Sequence, residues 1–471
     1  MQNTLRTGRR TSWGLSRFSR SENGTVPSGD AARVVLLIAV VVAGVQARVH
    51  GGPADPRAMR RSPIVEVFQQ WADSVVCVTG PTVKDDKPVV EEFFALPHMA
   101  PLENRIGSGF VIHESGYVVT NAHAAEKSVC HHVLLADGKN CPAELVDSIH
   151  GEDLALLKID AGRSLRAVRL ARSGDVMIGE TVVVIGNPHG LMRTCTAGII
   201  SAAGRASNVA DLRDVTLRDL IETDAGINPG SSGGPWFNVA GEVIGMTASM
   251  RKDSENIAFA ISTATLRKAL PEMLGVEARY GLSTGLGLGA DGACQVTAVQ
   301  PDSPAAKAAV QVGDTIEKVA DRPTPTVLDF HLALVGRKPQ ETVPLAIVRQ
   351  GKPVQVSLTL GRRPKPDGAA LLKQKFGLTA VPLDAEKAKA TSMRVARGVV
   401  ISAVEPGLFQ MVEHKPEPGD VLARVGRIRP RDLDHLGLLL EKVPSGRPVS
   451  MVLLRVKDKL ATRIDLNMPS R

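Results

Sequence analysis

The chain has 471 residues, 43% hydrophobic and 23% charged, which is too long for a single core and ordinary for soluble globular protein of about three domains. Its net charge of +8 does not mark a nucleic-acid surface. Residues 1–47 hold six Arg (Arg6, Arg9, Arg10, Arg17, Arg20, Arg33) against Glu22 and Asp30, and no basic stripe interleaved with aromatics follows. Aromatics make up 3%, so the cores must be aliphatic, and 44 Gly with 30 Pro suit short strands and many turns.

Residues 1–47 read as a leader. A basic region precedes the apolar run Val34–Val45, which is shorter than the ~20 residues a spanning helix needs and fits a signal-peptide core. Val45-Gln46-Ala47 offers a small-x-small cleavage site, and Arg9-Arg10 hints at twin-arginine export. The expectation is an exported protein, periplasmic or anchored on the outer face of a membrane. A mitochondrial presequence, leading to the intermembrane space, is the competing reading, because the first 21 residues contain Arg and Ser and no acid. Residues 48–63 then read as a linker.

Residues 64–276 read as strand, turn, strand. Ser74–Val78, Gly109–Ile112, Tyr117–Val119, His132–Leu135, Leu154–Leu157, Val182–Ile185 and Val243–Met246 are short apolar runs between turn signals, which argues for a barrel or sandwich. One helix, Thr263–Leu274, closes this block. Two blocks that resemble each other follow, at 281–362 and 371–470, joined by the linker 362–367. Each has an apolar strand (Val296–Val299, Val400–Val404), a Gly-Asp pair (Gly313-Asp314, Gly419-Asp420), a helix (327–334, 433–441) and closing strands (354–360; 449–456 and 462–466).

Five scattered cysteines, Cys77, Cys130, Cys141, Cys195 and Cys294, make no disulfide framework. If Asp137-Gly138 is a two-residue hairpin turn, Cys141 faces Leu134 and Cys130 lies out of bridging range. The expectation is free, mostly buried thiols. His131-His132 beside Cys130 suggests a metal only weakly, since no second ligand pair has zinc-like spacing, and no metal or other cofactor is expected.

Peptide hydrolysis needs a nucleophile, a base, a carboxylate to orient the base, and donors for the oxyanion. Gly230-Ser231-Ser232-Gly233-Gly234-Pro235 supplies a serine in a backbone that can turn tightly. Ser232 is the candidate nucleophile, with the N–H groups of Gly230, Ser231 and Ser232 as the oxyanion hole. Val119-Thr120-Asn121-Ala122-His123 puts a histidine at the end of an apolar strand, where it can act as general base. Glu152-Asp153 stands at the head of Leu154–Ile159, where Asp153 can fix the imidazole tautomer. Each motif alone is weak: a Gly/Ser run can be a flexible turn, a histidine structural, an Asp a cap. The order His, Asp, Ser along the chain matches one known order of this triad.

Together these motifs resemble the HtrA/DegP family of trypsin-fold serine proteases. The resemblance also rests on Gly107–Ile112, Gly116–His123, Asp153–Ile159, Ile185–Pro188, Gly198–Ser201, Thr223–Gly230 and Asn256–Ile261, and it extends through both C-terminal repeats. It implies a mainly β fold: a trypsin-like double six-stranded β-barrel followed by two α+β PDZ domains. It also implies the roles given to His123, Asp153 and Ser232, a homotrimer, and PDZ domains that read hydrophobic C-termini. Ser231, Gly226 and Cys195 depart from the family's usual Asn, Ala and Thr. The segment Lys84–Asn104 is short, which argues against a hexamer-locking long loop. With no acid at Gly226, six residues before the nucleophile, the expected P1 residue is small or medium and apolar. Phe68 and Trp71 read equally as trimer anchors and as core.

In the first repeat Gly285-Leu286-Gly287-Leu288 has the form of a carboxylate-binding loop leading into an edge strand, and Phe376-Gly377-Leu378-Thr379 stands at the corresponding place in the second. The chain has no Gly-x4-Gly-Lys-[Ser/Thr] loop, so the expected activity is an ATP-independent serine endopeptidase acting on unfolded or misfolded proteins of the cell envelope. A chaperone or scaffold that binds such chains without cutting is the alternative.

Overall fold

The computed structural model describes residues 57, 60–82, 103–126, 131–188, 191–208, 215–250, 256–289 and 292–471, the last stretch without 385, 387, 389–392, 394–396, 410–413 and 458–459. The leader, most of the first linker, most of the Lys84–Asn104 segment and Cys130 lie outside the described residues. Among those described, no helix is long and apolar enough to cross a membrane.

The compact unit 62–471 begins with helix α1 (Pro63–Trp71), where the sequence reading expects strand and turn. Its start signal is local: Ser62 accepts from the Val65 N–H at 3.4 Å, and Pro63 supplies the preset φ of a first helical turn. Trp71 is buried and stacks on Phe237 at 6.2 Å, so it serves the core.

Six strands then close a first barrel in the order β1-β2-β3-β6-β5-β4. They are β1 (Val75–Thr82), β2 (Glu103–His113), β3 (Tyr117–Thr120), β4 (His131–Leu134), β5 (Asn140–Ile149) and β6 (Leu154–Ile159). A second barrel closes as β10-β11-β12-β9-β8-β7. Its strands are β7 (Thr181–Gly186), β8 (Thr194–Asn208), β9 (Thr216–Thr223), β10 (Pro235–Phe237), β11 (Val243–Met250) and β12 (Ala258–Ser262). The uninterrupted apolar runs have a simple cause. Along β6, Ala155 and Leu157 point into the first barrel, whereas Leu154 and Leu156 join the larger cluster shared with Phe110, Ile185 and Phe237. In β7, Val182 and Val184 fill the second barrel while Val183 and Ile185 face the shared cluster. Both faces of these strands are dry, so the period-2 alternation disappears from the sequence.

The β4–β5 hairpin corrects the expected register. Leu135 N–H donates to the Lys139 carbonyl, and Lys139 N–H to Asp137 Oδ1, closing a three-residue loop with Gly138 at φ +85°. Cys141 therefore faces Val133, not Leu134. Cys77, Cys141 and Cys294 are buried and Cys195 half-buried, all free thiols. Burial pushes the Cys77 pKa up to about 11 and that of Cys294 to about 12.

Helix Thr263–Leu274, capped by Ser262 and ended by Gly275 at φ +50°, lies where the sequence places it. The first repeat forms a two-stranded sheet, Leu286–Leu288 with Val296–Val299, and a four-stranded sheet beside helix Val327–Leu334. The second opens with helix Gly368–Phe376, three residues before the expected boundary, and continues as a five-stranded sheet beside helix Leu433–Glu441.

The two repeats share a hydrogen-bonded pin. In the first, Val296 N–H donates to the Asp314 carbonyl and Gly313 N–H to the Val296 carbonyl, both at 2.8 Å; Ile401, Asp420 and Gly419 repeat the pair at 2.8 Å. Asp314 accepts two bonds from Arg349 at 2.8 Å, and Asp420 two from Arg455 at 2.8 Å. Only 1% of the Asp314 side chain is exposed, so losing Arg349 strands a buried carboxylate. Arg349→Leu is expected to lower stability at neutral pH. The Arg349 bonds hold the Asp314 pKa below its ordinary value. A depressed folded pKa gives stability that is present above the unfolded value of about 4 and lost as pH falls through the folded one. Urea midpoints of the variant and the parent should therefore converge below about pH 4, and a gap unchanged at pH 3 would contradict the assignment.

Candidate active site

Helix α2 (Ala122–Ala125) follows β3 directly and carries His123. Asp153 lies where the turn His150–Glu152 enters β6, the strand paired with β3. The two side chains meet in the dry interior, with His123 4% and Asp153 0% exposed. His123 Nδ1 is 2.8 Å from Asp153 Oδ2 and 3.1 Å from Oδ1. Asp153 Oδ1 also accepts the His123 backbone N–H at 3.0 Å, and Oδ2 accepts Asn121 Nδ2 at 3.0 Å. The Asp153 carbonyl receives Ala122 N–H at 3.1 Å and Asn121 Nδ2 at 3.2 Å. Since carboxylate and carbonyl only accept, Nδ1 must carry the proton, which leaves Nε2 as the basic nitrogen. Asp153 takes φ +52°, an uncommon left-handed conformation for a residue other than Gly, held by this set of bonds. The far end of α2 is pinned as well: His131 Nε2 donates to the Ala125 carbonyl at 2.7 Å. Desolvation lowers the His131 pKa to about 4, so it stays neutral.

Ser232 stands in the turn between β9 and β10, seated on β2 of the first barrel. Ser108 N–H donates to the Ser232 carbonyl at 2.7 Å, and a Cβ placed on Gly107 would lie 3.4 Å from Ala124 Cβ and 3.5 Å from that same carbonyl. One strand thus carries both the serine turn and the residue after His123. Gly233, at φ +83°, leaves no room for a side chain: a Cβ there would meet Ser108 O at 2.1 Å.

The peptide between Gly230 and Ser231 is engaged at both ends. Its carbonyl accepts Ser108 Oγ at 2.7 Å, and its N–H donates to the Asn228 carbonyl at 3.0 Å. In this structure the Ser231 N–H is thus engaged by the Asn228 carbonyl. The N–H groups of Gly230 and Ser232 meet no acceptor among the described residues. Gly226 is exposed and faces open space between buried Ala225 and Ile227. Asn121, Ser108 and Thr120, whose Oγ1 donates to the Ser108 carbonyl at 2.7 Å, are the contributors the sequence reading passed over. The available signal was their position inside the motifs that carry His123 and β2. Among the described residues no cluster of His, Cys, Asp and Glu could hold a metal ion.

In the first repeat Gly285 takes φ +73° with its back against Ser303, and among the described residues the strand Leu286–Leu288 pairs on one edge only. In the second, the space behind Gly377 is filled by Leu408 and Glu405, and Arg471 pairs with Glu405 at 3.0 Å.

Two closed six-stranded barrels with this site define a trypsin-like serine peptidase, and residues 107–246 match the trypsin-like peptidase domain family. Residues 244–360 match the PDZ domain family; this match begins within β11, ahead of the repeat itself. A DegP-like periplasmic serine endoprotease of Pseudomonas fluorescens is 32% identical over 409 residues, spanning 80% of this chain and 84% of the relative. One from Chlamydia trachomatis is 32% identical over 363 residues, spanning 74% of this chain and 72% of the relative. A solved serine endoprotease from Yersinia pestis is 29% identical, with a TM-score of 0.37, covering 64% of this chain and 99% of its own. The chain belongs to the HtrA/DegP family of trypsin-like serine proteases. It is a serine endopeptidase with a PDZ domain.

Proposed function

We propose that this endopeptidase degrades unfolded or misfolded proteins in the periplasm, without ATP, through the triad His123, Asp153 and Ser232. The observation that carries the reading is the buried Asp153 carboxylate, which holds His123 by ring and backbone together within the unit that seats the Ser232 turn. In that reading Ser232 Oγ attacks the scissile carbonyl while its proton passes to His123 Nε2. The N–H groups of Gly230 and Ser232 stabilise the oxyanion. The proton then goes to the leaving amine as the peptide bond breaks. Water, deprotonated by the same nitrogen, hydrolyses the acyl-enzyme. The envelope location follows the names of the relatives and the leader.

The first repeat is assigned to binding hydrophobic C-terminal peptides, added to the open edge of Leu286–Leu288 with the carboxylate at Gly285–Leu288. We read the second repeat as a PDZ-type module too, on the strength of the shared Asp–Arg pin, with its loop closed by Leu408 and Glu405 and its role turned to packing. Assembly as a homotrimer is part of the same reading.

The test uses residues 48–471 and unfolded β-casein, with and without a hydrophobic C-terminal peptide, beside Ser232→Ala. Casein should disappear with the parent and persist with the variant, with fragment ends after Val, Ala or Leu and faster loss when peptide is present. No cleavage by the parent under either condition would leave a non-cutting chaperone as the better account. Cleavage mainly after Arg or Lys would remove the apolar P1 assignment.

A further inference from the structure

Glu126 lies three residues beyond His123, at the C-cap of α2, where its N–H donates to the Ala122 carbonyl at 2.7 Å. Its side chain is 4% exposed, and a buried carboxylate must be bonded on all sides to be tolerated. Three residues from different places meet it. Ser148 Oγ, at the end of β5, donates at 2.6 Å, and His150 Nδ1, in the turn before Asp153, donates at 2.7 Å. The third is Arg427 Nη1 at 2.9 Å, which arrives from the C-terminal module 301 residues later. The first two partners frame the seat of Asp153. Asp153 N–H donates to the His150 carbonyl at 3.1 Å, and Ser148 Oγ lies 3.4 Å from the carbonyl of Leu154. One carboxylate thus ties the helix bearing His123 to the turn that presents Asp153 in its left-handed conformation.

The Arg427 contact is part of a larger docking. Arg431 pairs with Glu144 and Lys442 with Asp147, both on β5, and Lys442 Nζ also donates to the Glu272 carbonyl at 2.9 Å. Three cations of the C-terminal module therefore meet three acids, two on β5, the strand that runs into Ser148, and Glu126 at the end of α2. An exposed ion pair alone counts for little, and Arg427 is 51% exposed. The other end is not exposed, however, so loss of Arg427 leaves Glu126 as a buried charge without a cation.

We propose that Glu126 is a positioning residue for the His123–Asp153 pair and that Arg427 keeps it in place, so that docking of the C-terminal module sets the turnover of the active site. This rests on the triad reading above. It assigns the last module an effect on chemistry that does not depend on its holding any peptide.

The test uses residues 48–471 and a fluorogenic peptide too short to reach either repeat, with labelling of Ser232 by a fluorophosphonate as a second readout. Arg427→Ala should lower kcat about tenfold with KM within about twofold, the pattern of a displaced catalytic group. Arg427→Lys should restore at least about half of the lost rate, because the cation returns. In an Asp153→Asn background, Arg427→Ala should cost less than about twofold, since the residue it acts through is already disabled. An unchanged kcat in Arg427→Ala overturns the proposal. So does an equal proportional loss in both backgrounds, which would make Arg427 a stability residue only. Failure of the triad itself shows separately, as full turnover by Asp153→Asn alone.

Discussion

Asp153→Asn will lower kcat on a short peptide by about 10³- to 10⁴-fold, with KM within about twofold. The backbone will accept the change, because Asn tolerates the left-handed conformation at least as well as Asp. The damage lies in the hydrogen bonds. Asp153 offers only acceptors, and both of its oxygens face donors: the His123 N–H on Oδ1, and His123 Nδ1 with Asn121 Nδ2 on Oδ2. An amide must point its NH₂ at one of these. The backbone N–H of His123 cannot change sign, so the NH₂ goes to the imidazole side. Nδ1 then becomes the acceptor and the ring proton moves to Nε2, where it blocks uptake of the Ser232 proton. Steady-state kinetics with a melting curve checks this. A fall in rate without a fall in midpoint is expected, and wild-type turnover would remove Asp153 from the mechanism.

Gly233→Ala will cost about 3–5 kcal/mol and with it the active site. Two effects add. A φ of +83° disfavours any Cβ by about 1–2 kcal/mol. In addition the new methyl would lie 2.1 Å from the Ser108 carbonyl oxygen and 2.7 Å from Thr120 Oγ1, atoms already bonded to each other. Either β2 or the serine turn must move, and both carry the site. Gly174→Ala is the matched control: φ is +76° and nothing lies within 4 Å. It should show the conformational cost alone, about 1 kcal/mol. Urea unfolding followed by the fluorescence of Trp71 and Trp236 reports on the two-barrel unit. Equal midpoint shifts for the two variants would show that the contact at Gly233 is not what makes it indispensable.

Strand positions were legible in the sequence wherever both faces are dry, as in Leu154–Leu157 and Val182–Ile185, because a run of aliphatics admits few other readings in so turn-rich a chain. Helix Val327–Leu334 and helix Leu433–Glu441 were legible for the same reason, each an apolar stretch behind a capping Thr or Asp. What escaped depends on one residue more or less. The β4–β5 register turned on whether the loop has two residues or three, and the bond from Lys139 N–H to Asp137 Oδ1 selected three. Helix α1 escaped because Ser62-Pro63 sits at the edge of a Gly- and Pro-rich stretch that reads as linker. Of the candidate site, the proposed acid, base and nucleophile stood out in the sequence as residue types with a task. Their supports did not. Asn121 and Ser108 act through hydrogen bonds to groups far away in the chain, and no spacing announces such partners. The bond from the Ser231 N–H to the Asn228 carbonyl is a turn contact, which composition cannot show.

The placement of the thiols gives the molecule its own record of which part opens first. Cys195 is half-buried in the second barrel, Cys77 and Cys141 are sealed in the first, and Cys294 lies in the core of the first repeat. The chain has no cysteine beyond 294, so the last module is silent. A buried thiol reacts only when its surroundings part, and its alkylation then measures a local event rather than global unfolding. If the last module peels from the first barrel on its own, the clock at Cys77 and Cys141 need not advance. If the barrel loosens with it, those two thiols will be modified together and ahead of Cys294.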